Sequence, residues 1–345
     1  MANEIITTLL NNACPSIQYR IRTELLGESF NDETNRLQRQ LLQETIIQEV
    51  LNWQGADGWR SSSFHGSNGI EAGVRILREK GVVQGHPAIT KALNALRKEP
   101  DILYRGIGKP GKVLDQLGLG GSQMIRAVVF AYAATEDESW VGEQIKVALD
   151  GFQSILSIGN LDDVTCRYKN KLIFKSGARW PSIYHLRLLA YTNQWRTPEN
   201  YQVVVEGVKK LVELSPIPQV SALKQSQLIA PASFAMQDFN PNMDEMSGTM
   251  WMQWFHRMEL LSRIGVIQSI VELQKQVIRL DEILAQGREW FTRQISHSSF
   301  MNWGVYTGLA LEKDWRTPKR RVYDLTFRSL LIKHPFQKNS LPIKG

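Results

Sequence analysis

Six arginines, each beside a strongly apolar stretch, recur along the chain and constrain its fold more than any other feature. They are Arg22, Arg75, Arg126, Arg187, Arg257 and Arg328. Gaps of 53, 51, 61, 70 and 71 residues separate them. The surrounding segments, such as residues 183–191, are apolar around most of a helical circumference. This pattern predicts a repeated helix that is buried on both sides.

Each apolar segment except the last is followed by a turn and a more polar, amphipathic stretch. These stretches predict outer helices over residues 35–52, 87–98, 139–156, 199–214 and 266–287. Paired inner and outer helices predict an all-α fold, an α/α toroid of about six hairpins, formed by one domain over residues 1–345. The sixth hairpin is incomplete because the chain ends after its inner helix, residues 319–333. An open α-solenoid is the alternative, although its repeats are shorter and more uniform.

The basic residues are concentrated near the end of the chain. The net charge is +7, and residues 315–345 hold eight Lys and Arg against one acid. We interpret this segment as a basic closing segment that packs on the first hairpin. A protein that coats nucleic acid would spread its positive charge, so a nucleic-acid partner is not expected.

Cysteine content and hydropathy predict a cytoplasmic protein. The two cysteines are too few for a disulfide framework. The first residues lack the basic and apolar regions of a signal peptide, and no apolar run is long enough to span a membrane. The six histidines are scattered singly, so neither a metal site nor a cofactor is predicted.

Two short motifs help to place local structure. WRTP occurs at residues 195–198 and 315–318, and Thr followed by Pro predicts a helix start at each. GIGKPG at residues 106–111 matches G-x-G-x-x-G, but it follows no predicted strand. We interpret it as a flexible loop rather than a dinucleotide site.

In a toroid, the loops before the inner helices meet at one mouth of the central cavity. Four such loops, residues 55–66, 162–185, 236–257 and 296–308, mix aromatic, acidic and histidine residues. The candidate ligand-binding residues are Trp59, His65, Arg179, Trp180, Tyr184, His185, Trp251, Trp254, His256 and Trp303. The same loops carry Arg60, His297, Tyr306, Asp238 and Asp244. Alternatively, the tryptophans are core anchors and the charges are solvated.

The repeated arginines have two interpretations. Facing the axis, they would line a cavity for a diphosphate or carboxylate. Lying between the helix layers, they would pair with outer-helix acids such as Glu44, Glu49 or Glu206. We favour the structural interpretation, because a cavity rarely needs six equivalent charges.

The chain resembles the α/α-toroid superfamily of squalene and other terpenoid cyclases and of protein prenyltransferase β-subunits. The resemblance is carried by GADGWRSSSFHG (residues 55–66), CPSIQYRIRTELLG (14–27) and ARWPSIYHLRLLAYT (178–192). The latter two are similar to segments of poorly characterised bacterial squalene-cyclase-like proteins. The cyclase motif D-x-D-D has its nearest counterpart at Asn160–Asp163, where asparagine replaces the first acid. The resemblance implies Asp162 as a proton donor with Asp163 beside it. The zinc set of the prenyltransferases has no counterpart.

Three functions follow from these observations. The first is binding of, or catalysis on, an apolar, elongated, isoprenoid-like molecule in the central cavity, with Asp57, Asp162 or Asp163 as the acid. The second is a sugar-active enzyme, which needs two carboxylates across one cleft, with Asp57, Asp163, Asp238 and Asp244 as candidates. The third is a non-enzymatic scaffold that binds an acidic partner through the basic closing segment.

Overall fold

Helices dominate the part of the chain that the computed structural model describes, residues 2–59, 64–98, 103, 108–295 and 298–340. The α-helices are α1 (Ala2–Asn12), α2 (Pro15–Arg20), α3 (Asp32–Leu41), α4 (Thr45–Asn52), α5 (Ile70–Glu79), α6 (Pro87–Lys98), α7 (Gly108–Gln116), α8 (Ser122–Tyr132), α9 (Ser139–Ser154), α10 (Ile183–Ala190), α11 (Pro198–Leu214), α12 (Gly248–Ile264), α13 (Val271–Gln286), α14 (Ser298–Met301) and α15 (Pro318–Ser340). A π-helical turn, Ile21–Leu25, continues α2. The prediction of a predominantly helical protein is confirmed.

The apolar segments form the helices α2, α5, α8, α10, α12 and α15, and from α5 onward each packs on the next. Every residue of α10 is buried, and so is every residue of α5 except Arg78. Contacts run from α5 to α8, α10, α12 and α15 in turn, and from α15 to the π-helical turn. Arg20 of α2 then donates to the backbone oxygen of Glu79 at the end of α5, at 3.1 Å.

The amphipathic segments form a second layer of helices. The predicted span 35–52 is broken into α3 and α4, whereas α6, α9, α11 and α13 lie close to their predicted spans. In α13 the buried residues Leu273, Val277, Leu280 and Leu284 recur at helical spacing. Their apolar faces form the main core against the buried helices.

Both predicted helix starts are confirmed at the WRTP repeats. Thr197 caps α11 by accepting from the Asn200 backbone N–H, and Pro198 is the first helical residue. The helix α15 begins at Pro318. Its residues Tyr323, Phe327 and Leu331 belong to a smaller core with side chains of α1, α2 and the π-helical turn.

Two β-hairpins interrupt the helical pattern. Strand β1 (Thr165–Tyr168) pairs antiparallel with β2 (Lys171–Phe174), with Thr165 opposite Phe174. Strand β3 (Ala222–Lys224) pairs antiparallel with β4 (Gln227–Ile229). A bridge between Ile173 and Ser221 joins the two hairpins. Sequence periodicity did not indicate these strands, because three or four residues are too few to show alternation.

The prediction of a flexible loop at residues 106–111 is wrong from Gly108 onward, and residues 106 and 107 lie outside the described residues. From Gly108 onward the glycine-rich segment forms α7, which packs on the start of α8. A Cβ on Gly111 would lie 2.1 Å from Ser122 Oγ, and one on Gly121 would lie 1.9 Å from the Gly111 oxygen. The glycines therefore permit a close approach of two helices, rather than flexibility.

Candidate functional site

A stripe of three charged residues lies along one face of α5. Glu71, Arg75 and Glu79 are spaced four residues apart, so their side chains share a face. Their exposed fractions are only 0, 1 and 6%. Buried charges require partners, and other helices supply different ones at the two ends of this stripe.

At the C-terminal end of the stripe, glutamate carboxylates pair with arginine guanidinium groups. We define the Glu79 network as Arg20, Glu24, Glu79, Glu259, Arg263 and Arg328. Arg20 reaches Glu24 at 2.7 Å and Glu259 at 3.0 Å, and Arg328 reaches Glu259 at 2.7 Å. Arg263 also pairs with Glu24.

The carboxylates of the Glu79 network are held in the charged form. Burial favours the neutral acid, but the nearby arginines outweigh it and lower the pKa of Glu259 and, more strongly, of Glu24. The network is therefore a set of ion pairs that joins α2, α5, α12 and α15. Such pairing is typical of a structural element.

At the N-terminal end of the stripe, the pairing is incomplete. We define the Glu71 cluster as His65, Glu71, Tyr184, Arg187, His256 and Tyr306. Arg187 binds Glu71 Oε1 at 3.2 Å. Glu71 Oε2 is buried, lies 3.7 Å from His65 Nδ1, and has no hydrogen-bond partner among the residues that the structure describes.

His65 connects this carboxylate to two phenols. Its Nε2 lies 3.2 Å from the Tyr306 hydroxyl, and its Nδ1 lies 3.4 Å from the Tyr184 hydroxyl. Both phenol rings meet the imidazole edge to face, at centroid distances of 5.6 and 5.8 Å. The His65 side chain is 19% exposed, whereas Glu71 and Arg187 are fully buried. His65 therefore links the buried groups to solvent.

Aromatic rings form the walls of the Glu71 cluster. Phe234 stacks on Tyr306 with a centroid distance of 5.8 Å, and it meets His256 edge to face at 5.5 Å. The Arg187 guanidinium lies over the Tyr184 ring at 5.0 Å from its centroid. The arrangement combines apolar ring surface with a few convergent polar groups, as ligand sites do.

Burial fixes the protonation states around His65. Burial and the charge of Glu71 raise the pKa of Tyr306 to about 12, and they raise the pKa of Tyr184 well above its usual value. Burial, reinforced by the charges of Arg187 and Arg75, keeps the pKa of His256 well below its usual range. Both phenols are therefore proton donors at neutral pH, and the neutral His256 accepts from Arg187 at 3.2 Å.

Arg75 positions the loop that carries Tyr306. It donates to the backbone oxygens of Gly304, Thr307 and Gly308, the last at 3.3 Å. Gly308 has a φ of +86°, and a Cβ there would lie 2.6 Å from Trp303 Cα. The loop therefore depends on a glycine and on a buried guanidinium from the middle of α5.

The structure brings together three of the predicted ligand-binding residues, His65, Tyr184 and His256, in the Glu71 cluster. Tyr306, which the sequence placed in a candidate loop, also belongs to it. Glu71 was missed, although the signal was present. Acid, arginine and acid recur at helical spacing within the otherwise apolar segment IEAGVRILRE of α5.

The predicted acids lie elsewhere, each in a local turn. Asp57 accepts from the Trp59 backbone N–H at 3.0 Å. Asp162 and Asp163 are exposed in a 3-10 turn, Leu161–Asp163, where Asp163 accepts from the Gly159 backbone N–H at 2.7 Å. Neither Asp162 nor Asp163 contacts the Glu71 cluster.

The acids proposed for a sugar-active site are likewise engaged locally. Asp244 is exposed and pairs with Arg279 and Arg293. Asp238 accepts from the Asn240 backbone N–H at 3.0 Å. Both side chains hold the segment that precedes α12.

The other predicted ligand-binding residues support packing. Trp251 and Trp254 meet edge to face in an aromatic core with Phe255 and Phe291. Trp180 packs near Phe174, and Trp59 is buried in the main core.

Polar residues of the same set also have local partners. Arg179 is exposed and pairs with Asp150 at 2.9 Å. His185 accepts from the Ser182 backbone N–H at 2.9 Å at the start of α10, and burial lowers its pKa to about 3. The Arg75 guanidinium lies over the Trp303 ring, 5.3 Å from its centroid. Arg60 and His297 lie outside the described residues.

Five of the six repeated arginines are buried at their predicted positions, and the first is displaced. Arg22 is partly exposed and pairs with Glu28, whereas Arg20 takes the buried place. Among the described residues, Arg187, Arg328 and Arg20 pair with carboxylates, and these come from the apolar helices and the π-helical turn rather than from Glu44, Glu49 or Glu206. Arg126 lies over Trp140 at 4.2 Å, and Arg257 donates to the Ala235 oxygen at 3.0 Å.

Comparisons with known proteins assign neither a family nor a function to the chain. No family model, curated protein or solved structure matches this chain. Within the described ranges, no group of three His, Cys, Asp or Glu side chains could hold a metal ion. In the same part of the chain, no helix is both long and apolar enough to cross a bilayer.

Proposed function

We propose that the six apolar helices close into an α/α toroid, as in the terpenoid cyclases that the sequence resembles, and that the Glu71 cluster is an acid–base site at its axis. The succession of contacts from α5 through α15 to the π-helical turn supports the closed ring. The Arg20–Glu79 contact supports the last step, from α2 back to α5. An open solenoid would leave its first and last repeats apart.

The observation that carries the proposed chemistry is the position of His65. Its two ring nitrogens meet two buried phenols, and Glu71 Oε2, a buried oxygen with no hydrogen-bond partner in the described part of the chain, lies 3.7 Å away. Glu71 would orient the imidazole. Tyr306 would give its proton to an oxygen of the substrate. His65 Nε2–H would then return a proton to the Tyr306 phenolate. Solvent would then restore the proton on His65.

The cluster favours a particular class of ligand. The rings of Phe234, Tyr184 and Tyr306 suit a flat or apolar body, which is consistent with an isoprenoid-like molecule. The Tyr306 hydroxyl could donate to a carbonyl or hydroxyl oxygen of a ligand, and Glu71 Oε2, which has no hydrogen-bond partner among the described residues, could accept from a hydroxyl. We therefore propose an apolar small molecule that carries a carbonyl or hydroxyl group.

The test uses the full chain and compounds of this class. Candidates are the small molecules that co-purify with the protein, identified by native mass spectrometry, and a panel of isoprenoid and aromatic alcohols and ketones. Binding is measured by the NMR shift of the His65 imidazole, and turnover by mass change of the bound compound. Tyr306→Phe keeps the ring, so we expect binding to persist and turnover to fall by about 100-fold or more.

A matched control is Tyr168→Phe, which removes a phenol hydroxyl from strand β1. This variant should bind and turn over like the parent chain. The proposal is wrong if no compound of the class shifts the His65 resonance. It is equally wrong if Tyr306→Phe and Tyr168→Phe have the same turnover.

A further inference from the structure

The Glu71 cluster lies too deep for a ligand to reach it without movement of the chain. The exposed fractions of Glu71, Tyr184 and Arg187 are 0%, and that of His256 is 5%. The His65 side chain is 19% exposed and marks the side nearest to solvent. A ligand that contacts Glu71 or Tyr184 must therefore displace one of the segments that cover the cluster.

Three non-helical segments contribute side chains to the cluster or its walls, and apolar burial fixes two of them. The segment that carries His65 is held by Phe64, which is only 2% exposed. The segment that carries Phe234 is held by Ala235 and Met236, which are 1 and 2% exposed. Displacing either segment would transfer buried apolar surface to water, which costs free energy in proportion to the area.

The third segment is residues 304–308, which we call the lid. Its residues other than glycine, Val305, Tyr306 and Thr307, are only half-buried. Tyr306 is the contribution of the lid to the Glu71 cluster, with its hydroxyl 3.2 Å from His65 Nε2. The lid therefore has no fully buried side chain to hold it in place.

Hydrogen bonds from buried arginines hold the lid instead. Arg75 donates to three backbone oxygens of the lid, and Arg187 Nη2 donates to the Val305 oxygen at 3.1 Å. When the lid moves away, water reaches both guanidinium groups and replaces the lost acceptors. Opening of the lid therefore exchanges one set of hydrogen bonds for another.

Glycines lie at both ends of the lid. Gly308 has a φ of +86°, which residues with a side chain rarely adopt, and the Gly304 N–H donates back to the lid at 3.2 Å. The backbone that follows is anchored, because the Leu309 and Ala310 N–H groups donate to the Phe300 oxygen at 2.9 and 2.8 Å. The lid is thus a short turn between two glycines, attached to a fixed base.

We propose that the lid opens about its two glycines to admit a ligand to the Glu71 cluster, and that Arg75 holds it closed in the free protein. The identity of the ligand rests on the proposed function, whereas the movement of the lid does not. Closure over a bound compound returns Tyr306 to His65, so it also completes the acid–base site. A closed lid excludes water from the reaction as well.

The first experiment compares two tyrosines of the full parent chain by hydroxyl-radical labelling and mass spectrometry. Tyr184 of the cluster is 0% exposed and Tyr323 of α15 is 4% exposed, so static burial predicts that Tyr323 reacts at least as fast. Opening of the lid exposes Tyr184, and we expect its label to accumulate several-fold faster than that of Tyr323. Equal labelling, or faster labelling of Tyr323, would overturn the inference.

The second experiment tests the role of Arg75. Arg75→Lys keeps the charge but replaces the planar guanidinium by one ammonium, which serves three separate oxygens less well. The loss of one hydrogen bond from a charged group corresponds to about tenfold in the open fraction, so labelling of Tyr184 should rise by about this factor. Labelling of Tyr323 should stay constant.

Arg126→Lys is the matched control, because Arg126 is another buried arginine of the repeat and donates to the Leu96 oxygen rather than to the lid. It should label like the parent chain. If Arg75→Lys raises the label at both tyrosines, the side chain supports the whole fold and its role in holding the lid is wrong. Identical labelling of the two variants would contradict that role equally.

Neither labelling experiment needs a ligand or turnover, so the lid and the acid–base role can fail separately. A Tyr306→Phe variant with unchanged turnover would contradict the acid–base role and leave the labelling of Tyr184 in the parent chain as it is. Slow labelling of Tyr184 would contradict the lid alone.

Discussion

The two ends of the α5 stripe differ in how completely their charges are paired. In the Glu79 network, Glu24 and Glu259 each meet more than one arginine, and the arginines lower the pKa of both acids. In the Glu71 cluster, one carboxylate oxygen has no hydrogen bond among the described residues. Burial raises the pKa of Glu71, but His65 and Arg187 outweigh it, so this acid is also held below its usual pKa. Its neighbours include two phenols and two histidines.

This difference suggests different roles for two regions that share a helix. Paired ions impose a geometry on α2, α5, α12 and α15, and they leave no group free to take up or give a proton. Neutral phenols beside an imidazole can exchange protons, and the partly exposed His65 gives them access to solvent. Pairing of the carboxylate oxygens thus separates the structural network from the candidate site more clearly than burial does.

The largest effect is expected when the Glu79 network loses its central acid. Glu259→Gln keeps the side-chain shape but leaves Arg20 and Arg328 without their shared partner. Removing one member of a buried ion pair costs about 3–5 kcal/mol of unfolding free energy. Urea unfolding at pH 7 should show a loss of this size.

Glu206→Gln is the matched control, because Glu206 pairs with Lys209 on the exposed face of α11. It should change the free energy of unfolding by less than about 0.5 kcal/mol. A similar small loss for Glu259→Gln would mean that the network contributes little, and the contrast between the two regions would fail.

A smaller, pH-dependent effect is expected from His256 of the Glu71 cluster. Its pKa lies well below the usual range, so the folded chain excludes a proton that the unfolded chain binds below about pH 6.5. Stability should therefore fall as pH decreases through this range, by about 1.4 kcal/mol per unit. The acids of the Glu79 network, whose pKa values are lowered, begin to lose stability only below about pH 4.5.

His256→Gln removes the titrating ring but keeps an acceptor for Arg187. Between pH 6 and 5, the free energy of unfolding of the parent chain should fall more steeply than that of the variant, by about 1.4 kcal/mol. Equal slopes for the parent and His256→Gln would mean that His256 binds its proton as readily in the folded chain as in the unfolded chain, which would contradict the prediction.

The sequence predicted the succession of helices well and the site only in part. The Thr-Pro pairs marked two helix starts because capping and the fixed φ of proline act locally. Arginine spacing located five buried positions but selected Arg22 instead of Arg20. The π-helical turn Ile21–Leu25 explains this, since its wider turn changes which residues share a face.

The Glu71 cluster could not be assembled from spacing alone. His65 and Tyr306 are 241 residues apart, and Arg187 and His256 are 69 apart. Their meeting depends on the rotation of α5, α10 and α12 about their own axes. For a half-exposed helix, the amphipathic pattern of the sequence predicts which face points inward. These helices are buried on all sides, so their sequences carry no such pattern.

The smallest expected effect again belongs to the Glu71 cluster. Tyr306→Phe removes one neutral hydrogen bond to His65, and water can replace it because the imidazole is 19% exposed. The loss of unfolding free energy should be about 1 kcal/mol or less in urea unfolding at pH 7. Tyr168→Phe, on the hairpin β1–β2, should change it still less. A loss near 3 kcal/mol for Tyr306→Phe would make this cluster as structural as the Glu79 network. A small loss of unfolding free energy together with lost turnover would instead show that the Glu79 end of α5 contributes stability and the Glu71 end contributes chemistry.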